Sequence, residues 1–342
     1  MKKSSIITIA LLLILSIVAI VVFKKKSGSS TIDKEASAFK IKDTAAIDKI
    51  FLADKEGKTI LLEKKEDGWH LNGKYRARPD AVELLLYTMS MVDVKSPVSK
   101  SAKANVIKLM AAKSTKVEIY SKGEKIKQYY VGHTTQDHTG TFMILTNLEE
   151  DENYEDPFIT FIPGFEGYLT TRYFTDEPAW RDRVVINLRP PQIKQIKMEF
   201  HETPDSSFVI DLFSMQRFGL KSLKNQQQLK YDESRIKQYL AYFQNISCEL
   251  TLDKKDHIVD SLSSSALPFA TLTITDRNQK ENSYNFFHKH PNLLKNEQYG
   301  KNYKYDPDRL YMNYDNGKEY AIAQFFVFGK ILQTYGYFTP KY

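Results

Sequence analysis

The chain has 342 residues, of which 49 are lysine or arginine and 42 are aspartate or glutamate. Five of the lysines, at positions 2, 3 and 24–26, flank a single apolar run, and removing these five from the 49 leaves 44 basic residues against 42 acidic ones. The rest of the chain therefore lacks the positive field that steers a nucleic acid, so we expect no nucleic-acid partner, and it is long enough for two domains.

The apolar run at residues 6–23 predicts a transmembrane helix. At ~1.5 Å per residue it spans about 27 Å, close to the ~30 Å thickness of a bilayer's hydrocarbon core. The alternative is a cleaved signal peptide, but that needs a shorter apolar core and a small-residue cleavage site, whereas three lysines follow Phe23. We predict a cytoplasmic tail at 1–5, an uncleaved single-pass anchor at 6–23, a linker at 24–46 and a body outside the cytoplasm.

After the linker, one series of patterns occurs twice: a hairpin of alternating apolar residues, an amphipathic helix, a second hairpin and a further strand. The paired positions are Ile50 with Ile196, Leu52 with Met198, Ile60 with Ile210, Leu62 with Leu212, Val82 with Ile236, Leu85 with Tyr239, Val117 with Leu272, Ile119 with Ile274, Tyr129 with Tyr284, Val131 with Phe286, Phe142 with Leu310 and Ile144 with Met312. Such patterns are also common in any α+β chain, which is the alternative interpretation.

Duplication is the interpretation we favour, because several elements recur in the same order and the spacing changes only in turns. The fold class predicted is α+β: two tandem repeats, each a mostly antiparallel sheet with a covering helix. The first repeat is predicted at residues 47–188 and the second at 189–342, with the boundary near Arg189-Pro190-Pro191, where two prolines interrupt regular structure.

Seven short motifs carry a family resemblance, and they lie at residues 47–52, 68–69, 72–79, 129–132, 135–137, 162–165 and 180–183. Through them the chain resembles the bacterial family called domain of unknown function 4340, well over residues 39–183 and more loosely beyond. The resemblance implies an anchor in the bacterial inner (cytoplasmic) membrane, an extracytoplasmic body and an accessory role beside an ABC transporter or in a cell-surface assembly. It brings no catalytic residues.

Two arginine-rich motifs are candidate binding sites. Arg76 and Arg78 precede a predicted helix, and Trp180, Arg181 and Arg183 precede a predicted strand. Arginines beside an acidic residue can hold a carboxylate or phosphate with two parallel hydrogen bonds. The alternative, which we favour, is an internal ion pair at a domain junction.

Aromatic and histidine residues suggest two further sites. Tyr303 and Tyr305 lie in a tyrosine-rich segment suited to stacking on an envelope glycan, although core packing is the commoner role of such residues. Metal-ligating side chains occur at His133, Asp137 and His138, and they are the basis of a metal-assisted hydrolase hypothesis. The simpler alternative is that these residues belong to a polar loop without a metal.

The sequence contains no phosphate-binding loop, dinucleotide fingerprint or nucleophile elbow. We therefore expect a protein without enzymatic activity, cofactor or metal. The leading hypothesis is a membrane-anchored interaction module with a membrane or envelope protein as partner, and the alternative is a glycan-binding protein.

Overall fold

The computed structural model describes residues 35–291 and 303–340. The predicted tail and anchor lie outside this part, within which no helix combines the length and the hydropathy needed to cross a bilayer. The described chain divides into two compact units. Within the described ranges, the first comprises residues 35–74 and 79–175, and the second comprises residues 75–78, 176–291 and 303–340.

The division falls after Thr175, whereas the prediction placed it between residues 188 and 189. Residues 176–188 belong to the second unit because their backbone is bonded there: Arg78 N donates to Trp180 O at 2.8 Å, and Val184 pairs with Ser247. The prolines at 190 and 191 form a single 3₁₀ turn, Pro190–Gln192, that leads directly into the next strand.

The first unit is an antiparallel sheet with two helices. Its elements are β1 (Lys49–Ala53), β2 (Thr59–Lys65), β3 (Gly68–Leu71), α1 (Pro79–Met91), β4 (Asp93–Pro97), α2 (Lys100–Ala112), β5 (Thr115–Ser121), β6 (Glu124–Thr134), β7 (Thr141–Asn147) and β8 (Phe158–Phe161). In the sheet these strands follow the order β3-β2-β1-β5-β6-β7-β8-β4. The proline at position 79 begins α1, where its missing N–H costs no hydrogen bond.

The second unit is also an antiparallel sheet with short helices. Its elements are α3 (Glu177–Trp180), β9 (Val184–Ile186), β10 (Ile193–Phe200), β11 (Phe208–Leu212), β12 (Phe218–Ser222), α4 (Glu233–Ala241), β13 (Ile246–Ser247), β14 (Leu250–Thr251), α5 (His257–Ser264), β15 (Ala270–Asp276), β16 (Glu281–His288), β17 (Arg309–Tyr314), β18 (Glu319–Gln324) and α6 (Phe325–Phe328). The large sheet has the order β12-β11-β10-β15-β16-β17-β18-β14. Asp232 caps α4 by accepting from the Ser234 amide at 2.9 Å.

The two large sheets have the same strand order. Strands β1–β3 of the first unit correspond to β10–β12 of the second, β4 corresponds to β14, and β5–β8 correspond to β15–β18. With these matches, the strand order is identical in the two sheets. The helices α1 and α4 then occupy the same place in the series, as do α2 and α5. The two units are therefore alike in topology as well as in class.

Strand pairing corrects four of the predicted residue equivalences, two on β2 and two on β7. Ile50 pairs with Leu62, and Ile196 pairs with Ile210, so Leu62 rather than Ile60 matches Ile210. In the same way, pairing with β6 and β16 matches Met143, not Ile144, to Met312. The error on β7 is a shift of one residue, which moves a side chain to the other face of the sheet.

Each unit has a second helix that the prediction of one covering helix omitted. In the first unit, Val106 and Met110 of α2 pack with Tyr130 and Ile144. The residues next to Tyr130 and Ile144 in their strands point to the other face of the sheet. In the second unit, residues of α5 pack with Phe287 and Tyr320. Both faces of each sheet are thus at least partly covered.

Candidate functional site

The two predicted arginine motifs meet within the second unit. Residue 77 pairs with Arg181 as an isolated β-bridge, and the Asp182 amide donates to Arg76 O at 2.9 Å. The Trp180 side chain has no exposed surface, while the Arg76 side chain is exposed. The motifs therefore join two distant parts of the chain inside one unit.

Arg181 forms an internal ion pair, as the favoured interpretation expected, but both of its partners lie within the second unit rather than at a domain junction. Its Nη2 lies 2.6 Å from Glu177 Oε1 and its Nη1 lies 3.2 Å from Glu319 Oε2, and the guanidinium stacks 3.9 Å from the centre of the Tyr75 ring. Burial alone would lower the pKa of Arg181, but the hydrogen bond to Glu177 and the nearby carboxylate charges raise it. With 5% of its surface exposed, Arg181 is not placed to bind a ligand from solution.

Arg183 lies beside the single cysteine. The Cys248 amide donates to Arg183 O at 2.8 Å, and Arg183 Nε is buried without a hydrogen-bond acceptor among the described residues. Burial raises the pKa of the Cys248 thiol to about 12, against the opposing effect of the Arg183 charge. Because Cys248 and Arg183 Nε are buried, this contact supports a structural role for Arg183.

The tyrosines proposed for glycan binding differ in their surroundings. Tyr305 stacks on His288 with 3.7 Å between ring centres and 3° between planes, and His288 stacks in turn on Phe269 at 4.5 Å. One face of Tyr305 is therefore already covered. Tyr303 keeps 37% of its surface exposed, and a single ring is a weak platform for a sugar.

The three residues of the metal hypothesis each contact different neighbours. Asp137 accepts hydrogen bonds from the Thr135 and Thr139 hydroxyls at 2.5 and 2.7 Å, which hold its pKa well below the usual range. His133 lies against Phe142 at 4.8 Å between ring centres, and His138 lies against Tyr168 at 6.0 Å. Among the described residues, no three His, Cys, Asp or Glu side chains are grouped so that they could hold a metal ion.

An apolar surface that the sequence interpretation missed lies on α1. The helix buries Val82, Leu85 and Met89, as expected for its amphipathic face. On its outer face, Leu84 and Tyr87 are 45% and 51% exposed, although both are large and apolar. Residues three apart lie on the same side of a helix, so these two side chains form one patch.

The loop after β8 supplies two more exposed rings, and an arginine joins that loop to α1. Phe165 and Tyr168 are 39% and 36% exposed. The guanidinium of Arg172 lies 4.3 Å from the centre of the Phe165 ring, and its Nη1 donates to Thr88 Oγ1 at 3.0 Å. A glycine is required at 167, where φ is +143° and a Cβ would lie 3.0 Å from the Phe165 ring.

We call this set the α1 surface, and its members are Leu84, Tyr87, Phe165, Tyr168 and Arg172. It lies wholly within the first unit. Exposed apolar clusters of this kind are typical of binding surfaces on soluble domains. The sequence contains a signal for this surface. Leu84-Leu85-Leu86-Tyr87 is a run of four apolar residues, and four consecutive residues of a helix cannot all lie on its one buried face.

Comparison with known proteins assigns a family. The family model described as domain of unknown function (DUF4340) matches residues 69–262. The chain belongs to the DUF4340 family. No curated protein and no solved structure matches it.

The DUF4340 match covers parts of both units. It begins in β3 and ends in α5, so it contains the α1 surface and both arginine motifs. The predicted family is thereby confirmed, and the match extends beyond residue 183, where the resemblance was expected to weaken.

Proposed function

We propose that this DUF4340 protein is a membrane-anchored, extracytoplasmic interaction module that binds a protein partner through the α1 surface. The partner belongs to an ABC transporter or a cell-surface assembly in or on the same membrane. The observation that carries the proposal is the α1 surface itself: four large apolar side chains between 36% and 51% exposed, two on α1 and two on the loop that Arg172 links to α1. Aromatic residues and arginine are enriched at protein interfaces.

Comparison of the two units supports a role for this surface beyond folding. Matching α1 to α4 places Gln238 where the first unit has Leu84, and Ala241 where it has Tyr87. Both Gln238 and Ala241 are exposed. The same fold therefore forms without large apolar side chains at these two positions, so folding does not require Leu84 and Tyr87. We accordingly treat the units as tandem copies of one fold, of which the first has acquired a binding surface.

The point where the chain enters the first unit supports a partner near the membrane. The Ile41 amide donates to Met89 O at 2.9 Å, so the entering segment lies against the carboxyl end of α1, two residues beyond Tyr87. The eight residues between Lys26 and Glu35 reach at most about 30 Å when fully extended. With residues 6–23 in the bilayer, the attachment point beside the α1 surface stays close to the membrane.

Charge beside the α1 surface indicates the chemistry of the partner. Glu83 and Glu166 are exposed and directly adjoin Leu84 and Phe165 in the chain. A partner with apolar residues rimmed by lysine or arginine would complement these acids, whereas an anionic lipid surface would be repelled by them. We therefore assign the surface to a protein rather than to the bilayer.

The proposal includes no catalytic step. The Asp137 carboxylate is held by hydroxyl groups within its own turn, and Arg181 is held by two carboxylates. Both groups are already engaged in these intramolecular contacts. A glycan-binding role receives less support, because His288 covers one face of Tyr305.

A purification experiment tests the proposed function. The full chain is solubilised from native membranes and purified beside the double variant Leu84→Gln with Tyr87→Ala, which installs the residues of the second unit. The control is Leu109→Gln, which changes a 43% exposed leucine on α2. We expect one membrane protein at constant stoichiometry with the natural chain and the control, and its loss with the double variant. Purification of the natural chain alone, or retention of the partner by the double variant, would contradict the proposal.

A further inference from the structure

A cleft lies between the end of α2 and the sheet of the first unit. Its volume is about 200 Å³. The helix contributes Ile107, Met110 and Ala111, and the sheet contributes Tyr130 and Ile144. Because most of its lining is apolar, the cleft suits an apolar chain of roughly six or seven methylene-sized groups at ~30 Å³ each.

Hydrogen-bond donors accompany this apolar lining. Lys55 Nζ lies 5.3 Å from the centre of the Tyr130 ring, and both residues line the cleft. Asn153 also lines it, and its Oδ1 accepts from Thr146 Oγ1 at 2.7 Å. The Asn153 NH₂ group makes no hydrogen bond to any residue in the described ranges, so both of its hydrogens are available. A cation and an amide donor together suit a carboxylate.

The second unit lacks this cleft lining at the matching positions. Strand pairing matches Tyr130 to Asn285 and Ile144 to Asn313, and these two asparagines hydrogen-bond to each other at 3.0 Å. Gly132, against which Met110 packs, is matched by the buried Phe287. A Cβ at position 132 would lie 2.7 Å from Met110 Cγ. The first unit thus combines a glycine and an apolar wall that the shared fold does not require.

We propose that this cleft binds the anion of a medium-chain fatty acid. The alkyl chain lies among Ile107, Met110 and Ile144, and the carboxylate is held by Lys55 and Asn153. Burial of the alkyl chain supplies most of the affinity, and the charged head determines the orientation. This inference is independent of the α1 surface, because it concerns α2 and a different set of residues.

The test uses the full chain in lipid nanodiscs with ¹³C-labelled methionine methyl groups. The Met110 resonance is assigned by its loss in Met110→Leu, and the probe is octanoate. We expect octanoate to cause a saturable shift of that resonance. Octanol, which lacks the carboxylate, should bind the natural chain at least fivefold more weakly, and so should octanoate to Lys55→Gln, which lacks the cation. Ala111→Phe fills the cleft and should abolish the shift.

The matched control is Ala112→Phe, the same change one residue further along α2, at an exposed position outside the cleft lining. It should bind octanoate as the natural chain does. The proposal is overturned if octanoate leaves the Met110 resonance unchanged, if octanol binds as tightly as octanoate, or if the two phenylalanine variants behave alike. Lys55 is exposed, so Lys55→Gln remains a test should Ala111→Phe fail to fold.

Discussion

Arg172 Nη1 donates a hydrogen bond of 3.0 Å to Thr88 Oγ1, and this contact ties the loop after β8 to helix α1. The same guanidinium lies 4.3 Å from the centre of the Phe165 ring. Thr88 has no exposed surface and its hydroxyl also donates to Leu84 O at 2.7 Å, so its position is well determined. Arg172 therefore links the Phe165 ring to helix α1 without being buried itself.

Replacing Arg172 by alanine should loosen the loop while leaving the fold intact. Thr88 keeps its bond to the helix backbone but loses a charged donor, so we expect a loss of about 1.5–3 kcal/mol in the free energy of unfolding. Hydrogen exchange of the amides at 164–168 should become faster, since the Phe165 ring loses the cation above it. Arg217→Ala, which removes a guanidinium 5.0 Å from the Phe213 ring in the second unit, is the control. Unchanged exchange at 164–168 would show that Arg172 does not order the loop.

Replacing Arg181 by alanine should strongly destabilise the second unit. The change leaves the Glu319 side chain, 12% exposed, without its buried partner, and breaking such a pair typically costs 3–5 kcal/mol. Lys254→Ala removes the other cation at Glu319, 3.2 Å away, but that lysine is 49% exposed and should cost less than about 1 kcal/mol. Urea unfolding of the three proteins gives the comparison. Equal losses for the two variants would refute the assignment of Arg181 as a structural ion pair.

Cys248 should not react with iodoacetamide in the folded protein at pH 8. The thiolate is the reactive form, and burial raises the pKa of this thiol to about 12, so almost none is present. Its side chain is also largely shielded, since the residue is 4% exposed. Mass spectrometry should find the folded chain unlabelled after a time that labels the urea-unfolded chain completely. Labelling at equal rates in both states would contradict the buried position.

Glu118 should make stability depend on pH in the acid range. Burial alone would raise its pKa, but hydrogen bonds from Lys116 at 2.9 Å and Tyr120 at 2.8 Å hold the pKa below its ordinary value of 4.5. A carboxyl whose pKa is lower in the folded state contributes stability above the unfolded value, and this contribution disappears as pH falls through the folded value. The free energy of unfolding should therefore fall from pH 6 to pH 3 more steeply in the natural chain than in Glu118→Gln.

The control for that measurement is Glu124→Gln, an exposed carboxyl on the same hairpin. It should follow the pH dependence of the natural chain. If Glu118→Gln also shows the pH dependence of the natural chain, the ion pair with Lys116 makes no measurable contribution to the free energy of unfolding.

Strand alternation revealed the α+β class and most strand positions, because one face of each sheet is continuously buried. It failed in β7, where Phe142, Met143, Ile144 and Leu145 are apolar in succession. Helix α2 covers the second face of the sheet there, so both faces bury apolar residues and alternation no longer indicates the register. The helix itself has Val106 and Met110 four residues apart, a spacing that the sequence interpretation passed over.

The candidate sites could be predicted only in part, because the sequence does not show which side chains are exposed. Arginine, histidine and tyrosine attract attention as functional residues, yet Arg181, His288 and Tyr305 are engaged with neighbours that lie far away in the chain. Leu84 and Tyr87 look like core residues, and only the folded helix shows that they point outward. Exposure depends on tertiary packing, which a single sequence does not contain.

The most direct test of the proposed binding surface is photo-crosslinking in native membranes from a benzophenone amino acid placed at position 87. The matched control carries it at position 109 on α2, where the leucine is 43% exposed compared with 51% for Tyr87. We predict one crosslinked membrane protein from position 87 and none from position 109, with the yield falling as salt screens Glu83 and Glu166. Crosslinks from position 87 to lipid alone, or the same products from both positions, would contradict the account.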